Sequence, residues 1–221
     1  MDKDNAEGFT QAASSGDAAL LGLGAAAAVA AMQRGDFTAE RYATALLEQV
    51  ERWSTLNAFR TLDRDAVLQA ARAADERRRR GGALGRLHGL PVPVKDSVNT
   101  RALPTSNGTL SLSGFRPSAD AGVIGLLGEE GAIVMGKTNL HELSFGWTSN
   151  NETFGAVRNP YDLARSPGGS SGGSAAAVSA RMAPLAVAED TWDRFACRRP
   201  SAGSRVFARA ADAIRTTASC R

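Results

Sequence analysis

Two stretches of this 221-residue chain carry residue types that can perform acyl-transfer chemistry. The first is Ser166-Pro-Gly-Gly-Ser-Ser-Gly-Gly-Ser174, which runs straight into Ala-Ala-Ala-Val-Ser-Ala-Arg. A glycine- and serine-rich loop opening onto a helix crowds N–H groups and hydroxyls at a positive helix end, which suits a developing anion or a proton relay. Gly168, Gly169, Gly172 and Gly173 allow positive φ and close approach. The same letters also compose a flexible linker. The second stretch ends in Lys95, after the apolar run Leu90-Pro-Val-Pro-Val. A lysine buried at a strand end loses solvation, so its pKa falls toward neutrality and it can act as a base. Paired with a serine in a glycine-rich loop, it can replace histidine in acyl transfer. The alternative is a surface lysine in a turn.

Other motifs carry less. Gly131-Ala-Ile-Val-Met-Gly136-Lys137-Thr138 matches the phosphate-loop pattern letter for letter. Its inner residues read as a buried strand, however, which spends on its neighbours the N–H groups a phosphate would need. His141-Glu142 would open a zinc-protease motif, but the second histidine position is Phe145, and His88 is the chain's other histidine. His141 reads as a structural residue at the start of a turn. Arg77–Arg80 reads as the solvated last turn of a helix, stopped by Gly81-Gly82, rather than as a nucleic-acid patch.

The elements that must position these residues follow from pattern. The stretch 37–53 places Tyr42, Leu46, Val50 and Trp53 on one helical stripe, and Arg64–Arg80 forms a second helix with Ala66, Leu68 and Ala71 inward. The Ala-rich segment 18–32 reads as a helix of a cytoplasmic protein. It follows acidic residues rather than a signal's basic region, and it is too short for a membrane span. A helix over 118–130, followed by a short strand over 132–135, argues for an α/β fold with a covered sheet. There is no internal repeat and no linker before residue 190.

Composition is that of a globular protein, with 43% hydrophobic and 22% charged residues. The net charge of +3 hides an asymmetry. Residues 192–221 hold seven Arg, no Lys and two Asp, together with both cysteines, Cys197 and Cys220. Such a tail is either a nucleic-acid arm or sequence never selected as protein. The cysteines form neither a metal spacing nor a CxxC pair.

Gly89-Leu-Pro-Val-Pro-Val-Lys95-Asp96, the segment Gly131 to Glu142, Asn159-Pro-Tyr-Asp162 and Ser166 to Ser174 occur in one order. Together they resemble the amidase signature family of serine hydrolases, over residues from about Ala25 to Thr191. Phe145-Gly-Trp-Thr-Ser-Asn-Asn151 looks most like its mandelamide and indoleacetamide hydrolase branch. The resemblance implies an α/β/α fold with a mixed central sheet, present here only in its N-terminal portion, in a family whose chains are roughly twice this length. It implies a Ser-Ser-Lys triad with Lys95 as base and Ser170, on a cis peptide, as the bridging serine. Gly168, Gly169, Ser171, Gly172 and Gly173 would form the substrate loop, and Thr191 the remnant of an oxyanion segment. Reaction would pass through an acyl-enzyme. No cofactor, metal, nucleic acid or membrane is implied. The partner the resemblance implies is a small-molecule amide, and it allows a homodimer for the intact family member.

The chain departs from the family after Glu189-Asp190-Thr191, where Trp192-Asp193-Arg194 stands in place of Gly-Gly-Ser. Arg194 thus holds the nucleophile's position, and the polypeptide as written is expected to be inactive. Residues 1–191 read as the family portion and 192–221 as an out-of-frame, disordered tail. Permitted codons for Trp192–Pro200, read with each third base joined to the next two, can spell Gly-Ser-Ile-Arg-Val-Pro-Ala-Ala. Those for Arg205–Arg209 can spell Gly-Leu-Arg-Pro, another family stretch in register. A frameshift near codon 191 is the expectation, with uncovered apolar sheet faces and poor solubility as its consequence. Two rivals share the same residues: an amidotransferase A-type subunit working with partner subunits, and a non-catalytic binding protein that keeps an amidase-like half.

Overall fold

The computed structural model describes residues 15–189. Its helices α1 (Ser15–Leu21) and α2 (Ala25–Arg34) divide the Ala-rich segment expected to be one helix. The break falls at Gly22 and Gly24, where glycine costs about 1 kcal/mol relative to alanine in a helix interior. Helix α3 (Ala39–Arg52) starts at Thr38, whose hydroxyl accepts the Arg41 N–H at 3.0 Å. Tyr42 and Leu46 of the expected stripe are buried.

Helix α4 (Arg64–Arg80) has the expected bounds, with Asp63 capping Ala66 N at 3.0 Å. Its inward face is Val67, Ala71 and Ala74, whereas Ala66 is exposed. Asp75 is buried on that helix and accepts the Ala39 and Glu40 N–H groups at 2.8 and 3.0 Å. Its carboxylate therefore clamps α4 to the positive N-terminus of α3.

Strands β1 (Phe59–Leu62), β2 (Pro91–Lys95) and β3 (Ile133–Thr138) form a mixed sheet in the order β1-β3-β2. The central strand β3 runs antiparallel to β1 and parallel to β2. Val187 adds a parallel bridge to Val94 on the far side of β2. Proline removes a ladder donor and normally avoids such a position. Here the register shifts between Val92 and Pro93, and Pro93 serves as an acceptor for Val187 N at 2.8 Å. All five β2 residues are buried.

Two expectations need correction. Helix α5 spans Gly122–Glu129 and not 118–130, because Asp120 is engaged outside the helix, accepting the Arg101 N–H at 2.6 Å. Strand β3 does not stop at Gly136 but continues through Thr138, since glycine there lets the strand lie against Thr61 O and Leu62 of β1. The main core, including Tyr42, Val92 and Met135, fills the space between α2–α4 and the sheet. A second cluster, including Leu56, Val157 and Met182, lies under α6 (Gly172–Ser179). No helix among the described residues is long and apolar enough to cross a membrane.

Candidate functional site

Lys95 ends β2 and is wholly buried, which decides for the strand-end reading over the surface turn that the residues alone left open. Its backbone N–H is bound by Val187 O at 3.1 Å, which fixes the strand end and aims the side chain across the sheet edge. There Lys95 Nζ donates to Ser170 Oγ at 2.8 Å, across 75 residues of sequence. It also lies 3.2 Å from Glu189 Oε1.

Ser170 and Ser171 are both buried, and the Gly169–Ser170 peptide bond is cis. Among the four expected loop glycines, Gly168 has positive φ, at 90°. The other three are required for close approach. A Cβ on Gly169 would lie 2.8 Å from Ser149 N, one on Gly172 2.6 Å from Ser149 Cβ, and one on Gly173 2.6 Å from Ala58 O. The segment is therefore packed from three sides and is no linker.

The helix end does not present all its N–H groups to a ligand, contrary to the sequence reading. Gly172 N–H is bound to Ser149 Oγ at 2.9 Å and Gly173 N–H to Asn139 O at 3.1 Å. Ser149 Oγ in turn donates to Gly168 O at 2.7 Å. Ser171 Oγ donates to Glu189 O at 3.1 Å. Ser174 Oγ donates to Val187 O at 3.0 Å and lies 2.7 Å from Thr138 Oγ1. The start of α6 is thus stitched to β3, to the 187–189 segment and to the loop carrying Ser149. Asn139 adds Nδ2 bonds to Asn57 O and Gly155 O at 3.3 and 3.1 Å.

Ser149, Asn139 and Glu189 received no site role from sequence reasoning. Ser149 belongs to the Phe145–Asn151 stretch that carried the branch likeness, and that was its one signal. Thr191 and Arg194 lie outside the described residues.

The phosphate-loop match is a strand, as expected, and Lys137 is wholly buried in it. Its Nζ donates to Val98 O at 2.6 Å and Thr105 Oγ1 at 2.7 Å, and faces Asp96 Oδ1 at 3.5 Å. Asp96 also accepts the Ser106 N–H at 3.1 Å and the Ser106 hydroxyl. Burial pushes the Asp96 carboxyl up and the Lys137 ammonium down, and their mutual attraction only partly opposes this. Lys137 braces the loop that follows Lys95 instead of holding a phosphate. His141 precedes a single 3-10 turn over Glu142–Ser144, in keeping with a turn-starting role.

Glu189 completes the polar cluster. Burial alone would raise its carboxyl, but the Lys95 charge, with help from the Ser144 and Ser97 hydroxyls, brings it below the ordinary carboxylate value. A buried amine touching a buried hydroxyl can pass a proton in either direction, while the carboxylate beside it favours the ammonium. The cluster thus sets a hydroxyl and a carboxylate within hydrogen-bond reach of Lys95 Nζ.

The family model Amidase matches residues 41–201. The A subunit of the glutamyl-tRNA(Gln) amidotransferase of Chloroflexus aurantiacus is 44% identical over 177 residues, covering 80% of this chain and 36% of that protein. The protein of the same name from Azoarcus sp. is 48% identical over 150 residues, covering 67% of this chain and 31% of its own length. Among solved structures, the native peptide amidase of Stenotrophomonas maltophilia superposes with a TM-score of 0.69 at 37% identity, over 75% of this chain and 35% of that one. The matched stretch spans about a third of the length of these curated relatives.

Proposed function

The chain belongs to the amidase family, and on that premise we propose that Lys95 and Ser170 are the base and proton relay of an amide C–N hydrolase whose attacking serine has been lost. The observation that carries this reading is the 2.8 Å contact between Lys95 Nζ and Ser170 Oγ, made by two buried groups 75 residues apart. A neutral Lys95 takes the Ser170 proton, and Ser170 takes one from the nucleophile as it attacks the amide carbonyl. The proton returns by the same route to the departing ammonia, and water then releases the acyl group.

The nucleophile's position falls to Arg194, whose guanidinium cannot attack a carbonyl, and Trp192 and Asp193 replace the glycines of the oxyanion segment. The chain as written hydrolyses no amide, and a frameshift near codon 191 accounts for the change. The nucleotide sequence tests it: the shifted frame must read Gly-Ser-Ile-Arg-Val-Pro from codon 192, and any other reading sinks the frameshift. With the frame restored, ammonia release from simple amides is expected, falling about 10²–10⁴-fold in Lys95→Ala. Equal activity in that variant would remove Lys95 from the chemistry.

A second reading is favoured by the names of the relatives. As a glutamyl-tRNA amidotransferase A-type subunit, the chain would release ammonia from glutamine and would require partner subunits. With the frame restored, glutamine-dependent ammonia release that appears only with co-purified subunits would select it over the free-standing amidase.

A further inference from the structure

Two buried lysines lie near the ends of neighbouring strands, Lys95 last in β2 and Lys137 last but one in β3, and each is set against its own carboxylate. Lys137 faces Asp96, and Lys95 faces Glu189. Asp96, although next to Lys95 in the chain, turns its carboxylate to Lys137 and Ser106. Among the described residues, the groups around Lys95 that can set its charge include Ser170 before α6, Glu189 on the 187–189 segment, and the Asp96–Lys137 pair across β3.

Glu189 is held in place from several sides. Its backbone carbonyl accepts the Ser171 hydroxyl at 3.1 Å, so the residue is tied to the same serine run that carries Ser170. Two residues earlier, Val187 is hydrogen-bonded to both Lys95 N and Pro93 O. The Glu189 side chain is about a third exposed, whereas Lys95 is not exposed at all. The carboxylate thus sits between the buried amine and solvent.

We propose that Glu189 is a positioning residue that holds Lys95 as an ammonium against Ser170 in the resting chain. In that state Lys95 donates to Ser170 Oγ and cannot take its proton. For Lys95 to serve as a base, one N–H bond at Nζ must break and the proton must pass to Glu189, forming a neutral carboxylic acid beside a neutral amine. The consequence for catalysis rests on the amidase reading, but the ion pair does not.

The test uses the intact chain with isotopically labelled lysine and glutamate. NMR follows Lys95 Nζ and Glu189 Cδ through a pH titration, in the wild type and in Glu189→Gln. The substitution is expected to lower the Lys95 titration midpoint by a unit or more, about a tenfold loss of proton affinity. The converse variant, Lys95→Met, is expected to raise the Glu189 midpoint, and it covers the case in which Glu189→Gln does not fold. An unchanged Lys95 midpoint in Glu189→Gln, an unchanged Glu189 midpoint in Lys95→Met, or a wild-type Lys95 already neutral at pH 7, would each overturn the proposal. None of these readings depends on turnover, so failure of the ion pair and failure of the amidase reading are separately visible.

Discussion

Ser149 Oγ lies 2.9 Å from the amide nitrogen of Gly172, 23 residues later, and accepts its hydrogen. The same oxygen donates to Gly168 O at 2.7 Å and lies 3.3 Å from Ser170 O. One buried hydroxyl therefore ties together both ends of the loop that carries Ser170.

Ser149→Ala removes that tie and leaves the Gly172 N–H buried without a partner. A cost of about 1–3 kcal/mol is expected, read as a lower urea midpoint. Faster hydrogen exchange should be confined to residues around 168–173. Unchanged exchange there would show that Ser149 does not order the loop.

Gly173→Ala places a methyl within 2.6 Å of Ala58 O and 2.7 Å of Asn139 N. Both neighbours are backbone, so neither can rotate away. The start of α6 must move off β3 at a cost of about 1–3 kcal/mol or more. Gly125→Ala on α5 meets nothing within 4 Å and serves as the control. Thermal unfolding should separate the two variants.

Asp96 and Lys137 should behave as one unit. Asp96→Asn leaves Lys137 buried without its counter-charge, at a cost of about 3–5 kcal/mol. Adding Lys137→Met should recover part of that loss, because no uncompensated charge then remains. A double-mutant cycle in urea reads the coupling, and strict additivity would show that the 3.5 Å pair is energetically idle.

His88 gives a pH dependence of defined sign. Burial, and then the Arg77 guanidinium, hold its imidazole below the ordinary value of 6.5, despite the opposing Asp75 charge and the Ala74 backbone bond. The unfolded chain therefore binds a proton near pH 6.5 that the folded chain refuses. Stability contributed by neutral His88 is full above that pH and falls as the pH drops below it. The urea midpoint should fall between pH 7.5 and 5.5, and the fall should be smaller in His88→Gln. An identical fall in both proteins would assign the effect to carboxylates instead.

Much of the site's framework could be read from local pattern. The apolar run ending in Lys95 reads as a buried strand because valines and prolines favour extended backbone and leave one polar residue at the end. The strand character of Ala132–Met135 was enough to reject the phosphate loop, since a residue hydrogen-bonded within a sheet cannot offer its N–H to a ligand. The end of α4 was legible from its Gly81 stop, while the structure adds the Asp63 cap at its start. Strand β1 was not legible, because four residues with no alternation carry no periodic signal, and only the antiparallel ladder to β3 defines it.

The sequence by itself determined which residue types stand ready, a lysine at a strand end and serines at the start of a helix, because those placements follow from propensities a few residues wide. Tertiary structure alone decided how they are used. It brought Lys95 within 2.8 Å of Ser170 and 3.2 Å of Glu189, and it spent two of the helix's N–H groups on Ser149 and Asn139. Those partners lie 75 and 94 residues from Lys95, and 23 residues or more from the helix start. Contacts of that span are set by how β2, β3 and α6 pack together, and no local pattern of side chains encodes them.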